Sequence, residues 1–146
     1  MLWLVLPTFR NAEGISYHDG LLYFTAKKTQ TLFILDLDKM TYETETTGAI
    51  FSGQGDFNAQ PDQLFIGNHK KWIYFTEDGG AGPGVHIRER ATGTYRTLFE
   101  GIAGSVYAGD ETVGLALSPD RKLLFAGFQD AGVLFEFARE DGLPFE

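Results

Sequence analysis

The strongest constraint on this chain is a repeat near fifty residues, because self-similarity at that period is the mark of fold families built from stacked units. Residues 13–17, a turn at 18–20 and residues 21–25 make a first hairpin pattern. Residues 62–66, 67–71 and 72–76 make a second, and residues 113–117, 118–122 and 123–126 a third. Phe24, Phe75 and Phe125 are the clearest landmarks, 51 and 50 residues apart. Each hairpin is followed by a third strand pattern (31–35, 84–88, 133–137), and the first two by a fourth (41–46, 94–99). Four strands per repeat at this period predicts an all-β fold, a β-propeller with three four-stranded blades at about 11–47, 60–100 and 111–146. A three-hairpin β-sandwich is the rival, since it too gives short strands with Gly, Pro and Asp turns. Residues 1–146 read as one domain.

Propellers use about four to eight blades, so three would be half of a six-bladed ring. Residues 1–6 form a spare strand pattern ahead of the first repeat, and the third repeat stops where its outer strand should begin. One expectation is therefore a homodimer in which residues 1–6 complete the partner's third blade. The other is that the chain is cut from a longer one.

Composition narrows the functional classes. A formal charge of -8, with 12 Lys and Arg spread along the chain, argues against nucleic acid and in favour of bound cations. The apolar start, residues 1–6, is too short to span a bilayer and lacks the basic flank of a signal peptide. With no cysteine there is no disulfide, thiolate metal site or cysteine nucleophile, and the compartment stays open.

Acidic residues gather at the starts of the inner strands: Glu13, Asp62 and Glu111, spaced 49 and 49. The second strands end at Glu77, Asp78, Gln129 and Asp130, and the preceding loops add Asp56, Asn58 and Asp110. In an antiparallel hairpin the start of one strand lies beside the end of the next, so one rim is expected to collect them. Carboxylates crowded at a narrow mouth repel unless cations neutralise them, and hard oxygen ligands suit calcium, magnesium, manganese or ferric iron. Turn formation explains Asp19, Asp36, Asp38, Asp120, Glu140 and Asp141. His18 and His69 fall in hairpin turns away from that rim, and His86 is expected to pack within its blade. The run Gly79 to Gly84 has no helix after it to bind phosphate, and reads as a loop over the mouth.

At Asn11-Ala12-Glu13-Gly14-Ile15, Gln60-Pro61-Asp62-Gln63-Leu64, Thr76-Glu77-Asp78-Gly79 and Glu111-Thr112-Val113-Gly114-Leu115-Ala116-Leu117-Ser118-Pro119-Asp120, the chain resembles the PhoX-type alkaline phosphatases. The resemblance covers most of this chain and the C-terminal half of that family. It implies a six-bladed propeller with iron and calcium in its channel, hydrolysing phosphate monoesters. It further implies iron-binding roles for Glu13 and Glu111 and calcium-binding roles for Asp62 and Asp78; in a phosphomonoesterase built on them, Asn58, Glu77 and Gln129 are the residues expected to orient ligand or water. The family's cysteine ligand has no counterpart here, and that family is typically exported. Two alternatives stand beside the phosphatase. One is a non-catalytic half-propeller module with a structural calcium site, and the other a calcium-dependent lactonase of the gluconolactonase kind.

Overall fold

The structure is a computed structural model and describes residues 9–67 and 71–145. Residues 1–6, to which the extra strand was assigned, and His69 lie outside the described residues. Among the described residues eleven strands follow one another as antiparallel neighbours in three sheets. The first sheet holds β1 (Ala12–His18), β2 (Leu21–Ala26), β3 (Thr31–Asp36) and β4 (Thr41–Thr46). The second holds β5 (Gln60–Phe65), β6 (Trp72–Asp78), β7 (Gly84–Glu89) and β8 (Tyr95–Glu100). The third holds β9 (Thr112–Leu117), β10 (Leu123–Phe128) and β11 (Val133–Ala138). Among the described residues no α-helix forms, and no helix is long and apolar enough to cross a membrane.

The strands form where β-branched and aromatic residues alternate, and they stop where Gly or Asp can take a left-handed backbone. At the first hairpin Asp19 and Gly20 have φ of 48° and 78°, the turn that suits the right-handed twist of two paired strands. After β11 no fourth strand follows among the described residues, where the repeat pattern also stops. The chain turns back instead: Phe145 N donates to Arg121 O at 2.8 Å, and its ring packs against the core between the second and third sheets.

Alternation along β6 sends side chains to both neighbours. Ile73 and Phe75 join Tyr23 and Leu32 of the first sheet in one core, and Tyr74 joins Leu124 and Ala126 of the third in another. A register shift in β8, between the partners of Val85 and His86, lets Tyr95 serve the first core and Phe99 the second. The first strands of successive sheets also touch. Gly14 of β1 lies so close to β5 that an added Cβ would stand 2.1 Å from Leu64 N, and Gly114 N of β9 donates to Gln63 Oε1 at 3.0 Å. Threonine hydroxyls tie the sheets at the same end. Thr25 Oγ1 donates to Asp62 O at 2.9 Å, and Thr112 Oγ1 accepts from Glu77 N at 2.8 Å.

Candidate functional site: an acid cluster about Lys27

Each first hairpin carries the same irregularity. Glu13 and Gly14 stand opposite Thr25, Asp62 and Gln63 opposite Thr76, and Gly114 and Leu115 opposite Ala126, two residues against one. These are β-bulges, which bend a strand and re-aim its side chains. They correct the equivalence drawn from spacing: Glu13 and Asp62 occupy one position, but the third copy of that position is Gly114. Glu111 lies three residues earlier, in a bridge to Asp78.

Glu111 nevertheless reaches the cluster, from the neighbouring sheet. Its carboxyl is hydrogen-bonded to Asp62, and this bond, with partial burial and the Asp62 charge, pushes its pKa up to about 7 against the opposing pull of Lys27. Gln129 Nε2 donates to Glu111 Oε2 at 3.2 Å, and Gln129 N to Glu111 O at 2.9 Å. Asp62 is 6 % exposed. Between the acids stands Lys27, with Nζ 2.5 Å from Asp78 Oδ2 and 4.0 Å from Asp62 Oδ1. Burial works against its charge, but the hydrogen bond to Asp78 and the fields of Asp62, Asp78 and Glu111 hold its pKa above the ordinary lysine value. Asp62, Asp78, Glu111 and Gln129 are thus brought together, on elements from the second and third sheets, with a cation from the first.

The remaining site residues lie elsewhere. Glu13 is exposed on β1. Glu77, at the end of β6, turns its carboxylate into the protein, where Oε1 accepts from Ala59 N at 2.7 Å and Oε2 from Gly84 N at 3.3 Å. His86 Nε2 lies 3.1 Å from that same Oε2, its Nδ1 is 3.1 Å from Thr97 Oγ1, and its ring stacks on Phe57. His86 is therefore packed within its sheet, 0 % exposed. Asn58 lines a cavity of about 410 Å³, together with Glu77, Asp56, Glu100 and the Gly80–Gly82 loop, and none of Lys27, Asp62, Asp78 and Glu111 lines it. There Gly82 approaches Gly101 O too closely for any side chain, 2.0 Å from an added Cβ. Asp110 serves its loop: its carboxylate accepts from Glu111 N, Asp130 N and Ala131 N. Burial raises its pKa, the three N–H groups lower it, and the net effect is downward. His18 sits at the far end of β1 beside Asp19.

No family model and no curated protein matches the chain. The site must be judged on its own chemistry.

The donors about Lys27 are hard oxygens, the ligand type that calcium and ferric iron take, and the ammonium already stands among them. As the side chains stand, no group of three or more His, Asp or Glu among the described residues is arranged to hold a metal ion. A metal would have to replace Lys27.

Lys27 itself is the residue that a search for acids passes over. A signal for it does exist in the register: Ala12 pairs with Ala26 and Pro61 with Glu77, so Lys27 and Asp78 are the same position in adjacent repeats, with opposite charges.

Proposed function

We propose that this chain forms three blades of a six-bladed β-propeller and serves as a metal-assisted phosphomonoesterase of the PhoX-like kind. The observation that supports this is the convergence of Asp62, Asp78 and Glu111 on one cation position at the rim. Asp62, Asp78 and Glu111 would hold calcium, with iron the second ion that the resemblance implies at Glu13 and Glu111. Bound metal would neutralise the oxygens of a small phosphate ester and polarise its phosphorus centre. The protein's own groups supply position: Gln129 fixes Glu111 from both its backbone and its side chain, and the Thr25 and Thr112 hydroxyls lock the strand ends that carry the acids. Proton, ammonium and metal are three answers to the same crowding of carboxylates.

A second copy of the chain would complete the ring as a homodimer. In support, the outer face of the first sheet presents Ile15 and Tyr17, 63 % and 61 % exposed, and the third sheet presents Leu134 at 74 %. Light scattering at micromolar concentration should then give twice the chain mass.

A non-catalytic half-propeller module is the second reading, favoured by the way Lys27 already neutralises the acids. Metal analysis and a p-nitrophenyl phosphate assay, run with and without Ca²⁺ and Fe³⁺, separate the two. Turnover that appears with metal and vanishes in chelator is the expected result. Stoichiometric calcium with no turnover on any ester leaves the module, whereas hydrolysis of lactones alone points to the lactonase.

A further inference from the structure

The far edge of the third sheet has no strand against it among the described residues, since β11 pairs with β10 alone. Alternate backbone N–H and C=O groups of β11 therefore point outward in ladder geometry. Its composition is not that of an edge. One residue in six of β11 is polar, Glu136, whereas β4 and β8, the outer strands of the other two sheets, have five and three. Polar and charged side chains are what keep an open edge from pairing with other strands. Beside β11 lies an apolar groove of about 240 Å³, lined by Phe99, Ile102, Tyr107, Phe128, Phe135 and Phe137. It opens between β8 and β11, where a fourth strand on β11 would turn one row of its side chains towards the second sheet.

We propose that residues 1–6 of a second copy fill this groove and extend the third sheet as its fourth strand, an exchange made twice across a two-fold axis. Residues 2–6 are Leu, Trp, Leu, Val and Leu, an unbroken apolar run that suits a strand buried on both faces, and Pro7 follows it. β4 and β8 each complete one sheet just before the chain enters the next, so a strand ahead of β1 belongs to a sheet standing before the first. Phe9 marks the side on which that sheet stands. Its ring packs edge-on against Phe24 and Phe33, on the face of the first sheet turned away from the second. The chain's own third sheet lies beyond the second, two sheet spacings of about 10 Å each from that face. From Phe9 back to residue 6 the chain reaches about 11 Å at most, so it cannot serve its own groove. A second copy set against the open face of the first sheet brings its groove within that reach. This inference rests on the half-ring reading above and not on any catalytic activity.

The test uses the full chain and reads dimer dissociation by light scattering and sedimentation over a dilution series. Leu4→Asp and Val5→Asp place a charge on opposite faces of the exchanged strand. Ile102→Asp places one in the groove, at a side chain 78 % exposed, where a single copy tolerates it. Each is expected to weaken dimerisation by at least about a hundredfold, because a carboxylate buried there loses water without gaining a partner. Wild-type dissociation in either the strand variants or the groove variant overturns the exchange and leaves a homodimer that closes in another way. A wild type that stays monomeric at high micromolar concentration overturns exchange and homodimer together. A second measurement needs no disruptive change. With Trp72→Phe, Trp3 is the one tryptophan of the chain, and its emission is expected to be blue-shifted and shielded from acrylamide in the dimer, and to become open to quencher on dilution. Trp3 open to quencher in the dimer overturns the proposal, even where the aspartate variants fail to fold.

Discussion

The second sheet and its two neighbours have similar sequences but different surroundings. β6 and β7 are buried along nearly their whole length, while β4 and β11 are mostly exposed. The second sheet is covered on both faces, so almost every side chain of its middle strands meets a partner. The first sheet is covered on one. On its open side Ile15, Phe24, Phe33 and Thr44 lie in one cross-strand row, and Tyr17, Leu22, Leu35 and Tyr42 in the next. Phe24 and Phe33 stack at 4.7 Å, and Phe9 meets both edge-on. The difference teaches that apolar content does not decide where the core lies. Apolar rows on the two sides of the first sheet differ in whether a neighbouring sheet stands against them, and the free energy follows area removed from water.

The contrast can be broken most directly in the middle. Phe75→Ala, at a fully buried position, should cost about 3–5 kcal/mol in chemical denaturation. A loss under 1 kcal/mol would mean that the core between the first and second sheets carries little of the stability. Next in size is the clasp between the first and second sheets, where Arg88 Nε and Nη2 donate to Glu45 at 2.6 and 2.7 Å and the Tyr95 hydroxyl donates to the same carboxylate at 2.5 Å. Arg88→Met should cost about 2–3 kcal/mol, below the full cost of breaking a buried pair because the Glu45 side chain is 27 % exposed. Retention of full stability would show that Tyr95 alone holds Glu45.

Smaller still is the effect of pH. With the Glu111 pKa raised from 4.5 to about 7, the folded chain binds that proton more tightly than the unfolded one. Stability therefore falls as pH rises between those two values and is level in this respect outside them. In chelator, the denaturation midpoint of wild type should drop across that interval, and Glu111→Gln should remove the slope. An unchanged slope would detach Glu111 from Asp62. Smallest is the open face: Tyr17→Ser should shift monomer stability by no more than about 0.5 kcal/mol, while lowering the mass seen by light scattering if that face meets a second copy. A large loss of monomer stability would mean the face is covered from within.

Most of the strand framework was legible in the sequence. Alternating Val, Ile, Phe and Tyr between Gly and Asp turns located the strands to within a residue or two, because pleat and turn are local properties. The placing of His86 inside its sheet was legible for the same reason. The acid register was not. The second inner hairpin runs 13 residues from Asp62 to Phe75, where the first runs 11 from Glu13 to Phe24, so one spacing cannot describe both the starts and the ends of the strands. Bulges compound this, since two residues facing one shift every side chain beyond them. Glu77 read as a rim acid because adjacent residues on a strand face opposite ways, and nothing local says which of Glu77 and Asp78 faces in. Lys27 escaped because the pattern sought was one sign of charge, and the cluster is closed by the other.

The contact at Gly14 has an evolutionary reading. With Leu64 N and the Gln63 backbone within 2.1–2.8 Å of where a Cβ would stand, the nearest obstacles are main chain and cannot turn aside. In a library carrying every substitution and sorted for folded protein, codon 14 should return glycine alone, while codon 15, two-thirds exposed next door, should tolerate a broad alphabet. Drift can thus rewrite the surface of this strand freely but has no small step by which to widen the seam beside it.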